Sequence, residues 1–346
     1  PELLYYTVTV GGETTYYYGE SAISAFLNTA LKQTVDGTYE IKLYNDIETT
    51  IPGTTTIGVA GHDVTYKIDL NGYDWTALNS KATKENYAFV FRKAKTYIYS
   101  SVAGAVWDVT SAYSILCTDG SGYAYFGEPD GTSTAYGKNL TVKCAAINAT
   151  DMWSDGFYIY GGTFVQEGAT LRKYFLNNIR VMPREIKNAT FILNNAEYFA
   201  YGMRMPTVTN CTIISANGAK LFLDLGVDGT KISDVPNPVK DANGKFVNCN
   251  FYNIVPNTFD PITITYTDCT FNLSSAIPQA DGYIAYTGGT LATVEALGKT
   301  YTFTAKLLPT EEVGIVDWGF GLGTEYWAIG ATATHENVTV EGMFVY

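Results

Sequence analysis

The segment Asn210-Cys211-Thr212-Ile213 shows a four-residue pattern that occurs six times along this chain. The other copies are Asn139-Leu140-Thr141-Val142, Gly161-Gly162-Thr163-Phe164, Asn188-Ala189-Thr190-Phe191, Asn248-Cys249-Asn250-Phe251 and Asp268-Cys269-Thr270-Phe271. Each copy has Asn, Asp or Gly, then a small or apolar residue, then Thr or Asn, then an aliphatic or aromatic residue. The second positions of successive copies are 22, 27, 22, 38 and 20 residues apart. Recurrence at this spacing is typical of a repeat architecture.

The chemistry of each position predicts short strands joined at sharp corners. Asn, Asp and Gly tolerate the left-handed backbone that a corner requires. The second and fourth positions then share one face of a strand, because side chains of a strand alternate with a period of two. Helical repeats would alternate with a longer period. The pattern therefore predicts a solenoid whose coils stack about 4.8 Å apart.

Stacked coils place equivalent positions in columns. The second positions predict an inward column of small buried side chains, formed by Leu140, Ala189, Cys211, Cys249 and Cys269. The first positions predict a polar ladder along one corner, formed by Asn139, Asn188, Asn210, Asn248 and Asp268. We interpret this ladder as a structural device that satisfies backbone groups, and not as a metal site.

The chain divides into three predicted regions. Residues 1–38 predict a hairpin with Gly11-Gly12 as its turn, then an amphipathic helix over Ser21–Leu31. Residues 39–276 predict the coils, with an inserted loop at about 225–245 where the spacing is too long for one coil. Residues 277–346 lack the pattern and predict a C-terminal β cap or small module. Its antiparallel strands are predicted over Tyr301–Ala305, Gly314–Phe320, Tyr326–Ile329 and Asn337–Tyr346.

The repeat segments resemble the coils of right-handed parallel β-helix proteins of the pectin-lyase-like superfamily. A second resemblance lies in the helix over Ser21–Leu31, the strand over Tyr39–Ile47 and the segment Lys67–Tyr73. This order is similar to the opening of β-helix modules in surface proteins of anaerobic, often gut-associated, Gram-positive bacteria. In those modules the helix covers the open N-terminal end of the solenoid. Together the resemblances imply an all-β, right-handed parallel β-helix over about residues 15–275, and they specify no activity.

Composition and charge narrow the classes of function. Among 346 residues, 22 are basic and 34 acidic, so the basic stripe that nucleic acid requires is missing. Charged residues make up 16%, below the ~25% of typical globular proteins, and 28 residues are Tyr. This composition favours a secreted or cell-surface protein.

No apolar run approaches the ~18 residues of a membrane span, so we expect no membrane insertion. Pro1 followed by a strand-like stretch predicts a processed start.

The cysteines give no support for a metal or redox site. There are five, at positions 117, 144, 211, 249 and 269, and no two have CxxC spacing. An aspartate cluster typical of calcium sites is not recognisable either. We therefore expect no cofactor and no metal, and calcium lacks a motif that would support it.

Arginines near prolines suggest a polysaccharide-acting enzyme. Pectate-lyase-type members of the superfamily use such an Arg, and Arg180-Val-Met-Pro183-Arg184 and Arg204-Met205-Pro206 are similar to that arrangement. On neighbouring coils they would form a cluster able to bind an acidic sugar, consisting of Asp151, Trp153, Asp155, Arg180, Arg184 and Arg204. In the interpretation that we favour, each Pro lies at a corner and each Arg pairs with a local carboxylate such as Glu185 or Glu197.

Surface tyrosines are a second candidate for binding. They are numerous enough to form stacking platforms for sugar rings, or to stack on one another along the coils. The candidates are Tyr97, Tyr99, Tyr158, Tyr160, Tyr198 and Tyr201.

The leading hypothesis is a non-catalytic extracellular or cell-surface module, an adhesin or glycan-binding scaffold. Neither His62 nor His335 has an evident partner at catalytic spacing. The expected partner is a glycan or another cell-surface component, and the candidate ligand-binding residues are Asp151, Trp153, Asp155, Arg180, Arg184, Tyr198, Tyr201 and Arg204. One alternative is a polysaccharide lyase or glycoside hydrolase that acts on acidic glycans. Another is a phage or surface-assembly component, which would form trimers or filaments.

Overall fold

The computed structural model describes residues 1–79, 89–91, 93–112, 115–116, 123–148, 157–168, 173–177, 185–201, 207–216, 219–223, 244–252, 254, 263–272, 283–296, 299–309, 332–336 and 339–341. The chain forms two compact units. The first contains residues 1–171 and 180–189, and the second contains residues 172–179 and 190–346. The described residues are mostly β-strand, as the repeat pattern predicts.

The strands are short and follow one another closely. From the N-terminus they are β1 (Leu4–Val10), β2 (Glu13–Tyr18), β3 (Gly37–Leu43), β4 (Ile47–Ile51), β5 (Thr55–Thr56), β6 (Val64–Asp69), β7 (Trp75–Asn79), β8 (Phe89–Val90), β9 (Lys95–Tyr99), β10 (Ala105–Asp108), β11 (Ile115–Leu116), β12 (Tyr123–Phe126), β13 (Leu140–Cys144), β14 (Ile147–Asn148), β15 (Phe157–Ile159) and β16 (Gly162–Gln166). They continue as β17 (Tyr174–Asn177), β18 (Glu185–Lys187), β19 (Ala189–Leu193), β20 (Tyr198–Tyr201), β21 (Thr207–Thr209), β22 (Thr212–Ser215), β23 (Lys220–Leu223), β24 (Gly244–Val247), β25 (Asn250–Tyr252), β26 (Thr263–Thr267), β27 (Thr270–Asn272), β28 (Tyr283–Ala296), β29 (Lys299–Pro309), β30 (Thr332–Glu336) and β31 (Thr339–Glu341).

In the first unit, successive strands join three sheets in turn. The first sheet has the order β2-β1-β3-β6-β9-β12-β15-β18, the second β4-β7-β10-β13-β16 and the third β5-β8-β11-β14. From β3 onward, each strand pairs in parallel with the strand three places along the chain, as in the pairing of β3 with β6. Parallel neighbours with a recurrence of three strands are compatible with a β-helix or solenoid-like fold.

The second unit begins with the same recurrence, as in the pairing of β19 with β22, but from β24 onward the parallel partners lie two or four places apart. Its sheets have the orders β21-β24-β26-β30, β19-β22-β25-β27-β31 and β17-β20-β23. The strands β28 and β29 form a separate antiparallel hairpin. That hairpin confirms the antiparallel strand predicted over Tyr301–Ala305. The prediction for Asn337–Tyr346 is wrong over Thr339–Glu341, because β31 adds in parallel to β27 and so extends the second sheet.

Several predicted boundaries remain untested. The strands predicted over Gly314–Phe320 and Tyr326–Ile329 lie outside the described residues, as does most of the loop at 225–245. The division into regions 1–38, 39–276 and 277–346 stays a prediction.

The N-terminal hairpin and helix form close to the predicted positions. Strands β1 and β2 pair across Gly11 and Gly12, which adopt φ values of 59° and 86°. An α-helix covers Gly19–Ala25 and continues as a π-helix over Phe26–Ala30, where Leu31 N donates to Phe26 O. Most of the apolar side of this amphipathic helix faces inward, because Phe26, Leu27, Ala30 and Leu31 are buried, whereas Ile23 is half-buried.

Left-handed corners occur at four of the six first positions of the repeat pattern, and in the Gly161 copy the positive φ lies one residue later, at Gly162. Asn188, Asn210, Asn248 and Asp268 have φ values of 56°, 54°, 53° and 52°. In the second unit the polar ladder is visible directly, because Asn248 Nδ2 donates to Asn210 Oδ1 at 2.7 Å.

The prediction for Asn139 is wrong. Its φ is not positive, since the chain enters β13 from a longer loop and Asn139 N closes a turn onto Tyr136 O. The side chain still supports a corner, because its Nδ2 donates to Ser100 O at 3.1 Å. The structure adds a left-handed corner that the pattern missed, Asn71 with φ 52°.

The inward column is buried as predicted. Leu140, Ala189, Cys211, Cys249 and Cys269 are each at most 2% exposed. The last three cysteines are free thiols. A hydrogen bond with the Cys211 thiol, reinforced by burial, raises the pKa of the Cys249 thiol to about 12. The three cysteines are therefore buried core side chains, and the Cys249 thiol stays protonated.

Aromatic rings fill the core of the first unit. Trp75 and Trp107 stack with ring centroids 5.4 Å apart, and Phe89 contacts both rings. The helical segment joins this cluster through Phe26, whose ring lies 5.0 Å from Trp75. The helix is thus fixed to the core by an aromatic contact, and Tyr6 reinforces it by donating from its hydroxyl to Ala22 O.

Candidate functional site

The outward side of the first sheet carries tyrosines on three consecutive parallel strands of the first unit. In β9, β12 and β15, alternate residues are buried, so the residues between them face away from the core. The resulting surface, which we call the tyrosine face, consists of Tyr97, Tyr99, Tyr123, Tyr125 and Tyr158, together with Tyr160, which directly follows β15 and is itself buried.

Three of these tyrosines form an ordered stack. The parallel register pairs Tyr97 with Tyr125 and Tyr125 with Tyr158. The ring centroids are 4.2 Å and 4.6 Å apart, and the rings are inclined by only 9° and 10°. Because stacked rings cover one another's faces, the stack presents ring edges and hydroxyls outward. Tyr123 and Tyr160 flank the stack with inclined rings, at 68° to Tyr158 and 36° to Tyr125 respectively.

A polar groove of about 370 Å³ borders the tyrosine face on the side of the N-terminal hairpin. Its lining residues include Thr7, Thr9, Thr14, Tyr16, Glu40, Lys42, Lys67, Asp69 and Tyr99. Asp69 is fixed in this groove, since it accepts hydrogen bonds from the backbone of Asn71 and from both backbone and hydroxyl of Ser101. Tyr99 belongs to both surfaces, so the groove and the tyrosine face are continuous.

The loop over residues 127–139 joins β12 to β13 and forms a wall of the site. Buried Glu128 accepts a hydrogen bond from Tyr136 N at 2.8 Å, and the Tyr136 ring stacks on Tyr99 at 6.0 Å. Between Glu128 and Tyr136 in the sequence, Gly131 O accepts a hydrogen bond from Lys187 Nζ at 2.6 Å. The loop is therefore attached to the tyrosine face at two places.

The hydroxyls of Tyr97, Tyr125, Tyr158 and Tyr160 are neutral at physiological pH. Burial raises the pKa of Tyr97, Tyr125 and Tyr158 above the ordinary tyrosine value. Burial likewise raises the pKa of Tyr160, and the carboxylate of Glu185 raises it further. The face thus offers neutral hydroxyls that both donate and accept hydrogen bonds.

Raising the pH above about 10 is expected to destabilise the folded chain. Tyrosines of the unfolded chain titrate near pH 10, whereas Tyr97, Tyr125 and Tyr158 hold their protons to higher pH when folded. The stabilisation that comes from these raised pKa values is therefore fully present below about pH 10. It is lost as the pH rises through the pKa values of the folded-state tyrosines. Urea unfolding followed by circular dichroism, from about pH 7 to about pH 11, measures this loss.

A triple variant with Phe at positions 97, 125 and 158 is the control. It keeps the stacked rings and lacks the titrating hydroxyls, so its stability is expected to fall less over the same pH range. If the stability of the wild type and of the triple variant falls equally, the loss comes from titrating groups other than these three hydroxyls.

The residues that the sequence singled out as ligand-binding fall into two sets. Asp151, Trp153, Asp155, Arg180, Arg184 and Arg204 lie outside the described residues, so their cluster stays a prediction. Tyr198 and Tyr201 lie in β20, in the third sheet of the second unit. Tyr97, Tyr99, Tyr158 and Tyr160 do come together, in the first unit. Sequence reasoning missed Tyr123 and Tyr125, although all three strands share the signal Tyr-x-Tyr.

His62 has a partner that the sequence did not reveal. Its Nδ1 lies 3.6 Å from Asp36 Oδ1, which also accepts a hydrogen bond from Asp63 N. Within the described residues, no group of three or more His, Cys, Asp or Glu side chains is placed to hold a metal ion. In that same part of the chain, no helix has the length and apolar character needed to cross a membrane.

No family model matches this chain, and the searches of curated proteins and of solved structures found no match either.

Proposed function

We propose that this chain is a right-handed parallel β-helix that acts as a non-catalytic extracellular module and binds glycan through the tyrosine face. The three-strand recurrence, the left-handed corners and the buried inward column support the β-helix. The low content of charged residues and the abundance of tyrosine support an extracellular or cell-surface location. A glycan, or another cell-surface component that carries one, is the proposed partner.

The observation that carries this proposal is the aligned stack of Tyr97, Tyr125 and Tyr158. A tyrosine ring combines an apolar body with a polar tip, as a sugar ring combines C–H faces with hydroxyls. Stacking also immobilises the rings before a ligand arrives, which lowers the conformational entropy lost on binding. The polar groove beside Tyr99 adds donors and acceptors that fix the orientation of a ligand.

Binding to immobilised cello-, xylo-, chito- and galacturono-oligosaccharides tests the proposal. Tyr125 contacts both neighbours in the stack, so Tyr125→Ala disrupts the whole surface. We expect it to weaken binding at least about tenfold, which corresponds to about 1.4 kcal/mol. Tyr125→Phe keeps the stack and is expected to retain most of the affinity.

Two further results would contradict the proposal. If wild-type protein binds none of these oligosaccharides, glycan binding through this face is wrong. If Tyr198→Ala, in the second unit, weakens binding as much as Tyr125→Ala, the tyrosine face is not the specific site. New reducing ends in the oligosaccharides would instead support the enzyme hypothesis and direct attention to Arg180, Arg184 and Arg204.

A further inference from the structure

Tyr160 differs from the stacked tyrosines in what covers its ring. Only 7% of Tyr160 is exposed, and Lys187 Nζ lies over the ring, 4.8 Å from its centroid. The faces of Tyr125 are covered by rings that the sheet holds in register. The cover on Tyr160 is instead the end of a flexible side chain, which can leave by rotation about its own bonds.

Lys187 is held over this ring by three attractions. Its ammonium lies over the electron-rich face of Tyr160, donates to Gly131 O at 2.6 Å and pairs with Glu185 Oε1 at 3.3 Å. The bond to Gly131 joins β18 to a loop 56 residues earlier in the sequence. Lys187 therefore connects the loop at 127–139 to the sheet.

The two ends of the loop are fixed, and we call them together the neck: Gly127 and Glu128 at one end, Tyr136 and Gly137 at the other. A Cβ atom added to Gly127 would lie 2.4 Å from the carbonyl carbon of Gly161, and one added to Gly161 would lie 2.5 Å from Gly137 Cα. Backbone thus packs directly on backbone at both ends of the loop. Buried Glu128 closes the neck by accepting the hydrogen bond of Tyr136 N.

The tip of the loop, residues 129–135, is held differently. Asp130, Thr132, Thr134 and Ala135 are exposed. Gly131 packs against the hydroxyl end of Tyr160, where an added Cβ would lie 3.1 Å from the ring. The tip can therefore lift away when the Lys187 bond breaks, while the neck stays in place.

We infer that residues 129–135 are a strap that Lys187 holds over Tyr160, and that Tyr160 is a closed subsite for a sugar ring. The identity of the ligand rests on the proposed function, whereas the strap does not. The sugar ring and the Lys187 ammonium compete for one face of Tyr160, so the subsite opens only when Lys187 leaves. Lys187 is thus a positioning residue that sets the accessibility of this subsite.

The strap is tested without ligand. In Lys187→Ala, a broad-specificity protease is expected to cut within residues 129–135 at least about tenfold faster than in wild type, as found by mass spectrometry. Lys187→Arg retains a donor and the positive charge and is expected to be cut nearly as slowly as wild type. Hydrogen exchange at Tyr136 N, inside the neck, is expected to stay unchanged. Unchanged cleavage, or faster exchange at Tyr136, would overturn the strap.

The subsite is tested with whichever cello-, xylo-, chito- or galacturono-oligosaccharide wild type binds. Lys187→Ala is expected to bind it at least about threefold more tightly, because the strap no longer has to open. Adding Tyr160→Leu is expected to remove that gain. Unchanged or weaker binding by Lys187→Ala would overturn the subsite. If wild type binds none of these sugars, the subsite fails together with the proposed function, and the protease experiment still decides the strap.

A second variant covers the case in which Lys187→Ala does not fold. Gly131→Ala leaves Lys187 intact and places a methyl group 3.1 Å from the Tyr160 ring, so the tip and the ring must move apart by a few tenths of an ångström. We expect faster cleavage within residues 129–135 in this variant as well, and cleavage at the wild-type rate would contradict the strap.

Discussion

Trp107→Ala is expected to lower the free energy of unfolding by about 3–5 kcal/mol. Trp107 is fully buried, and its ring contacts Trp75 at 5.4 Å, Phe89 at 5.5 Å and Phe126 at 6.0 Å. These partners belong to strands of three different sheets, so they cannot close together over the cavity without breaking sheet hydrogen bonds. Chemical denaturation followed by circular dichroism measures the loss.

The comparison of Trp107→Phe with Trp75→Phe separates ring packing from hydrogen bonding. Trp75 Nε1 donates to buried Thr49 Oγ1 at 3.0 Å, whereas Trp107 Nε1 has no hydrogen-bond partner among the described residues. Trp75→Phe therefore leaves Thr49 without its donor, at an additional cost of about 1–3 kcal/mol. If Trp107→Phe proves the more damaging of the two, this account of the aromatic core is wrong.

Gly127→Ala is expected to destabilise the first unit by about 2–6 kcal/mol through two separate costs. Gly127 has φ 99°, a conformation that costs an alanine about 1–3 kcal/mol. The new methyl group would also lie 2.4 Å from the carbonyl carbon and oxygen of Gly161, and relief of that overlap requires backbone movement. Overpacking of this kind adds about 1–3 kcal/mol. Denaturant unfolding again provides the measurement.

Gly104→Ala is a matched control for that substitution. Gly104 has nearly the same φ, 97°, and a Cβ atom added there would meet nothing within 4 Å. The two variants therefore share the backbone cost and differ in the overlap with Gly161. Equal destabilisation by both would mean that the contact between Gly127 and Gly161 relaxes without cost.

Much of the fold could be predicted because it is encoded locally. Asn188, Asn210, Asn248 and Asp268 mark their corners directly, since these residue types tolerate a left-handed backbone. Alternation within a strand likewise shows which side chains face the core. Asn139 misled the prediction because its four-residue pattern looks the same whether a corner or a longer loop precedes it.

The candidate site was harder to predict because it depends on register between distant strands. The Tyr-x-Tyr signal marks each strand of the tyrosine face, yet only the pairing of β9, β12 and β15 places Tyr125 between Tyr97 and Tyr158. The contact between Lys187 and Gly131 joins residues that are 56 positions apart in the sequence. It involves a backbone carbonyl, and because every residue type has one, the sequence gives no signal for it. The unpredicted part is therefore three-dimensional pairing, not local conformation.

The recurrence of three strands has a consequence for how the length of this protein varies. Because each strand of the first unit from β3 onward pairs in parallel with strands three places away, removal of one complete triplet there leaves ladders that can join again in the same register. A single inserted residue in β9 would instead turn Tyr97 toward the core and bring Thr96 to the surface. Natural or engineered variants of the first unit are thus expected to change size in whole triplets, and a triplet that contains β9, β12 or β15 carries one rung of the tyrosine face.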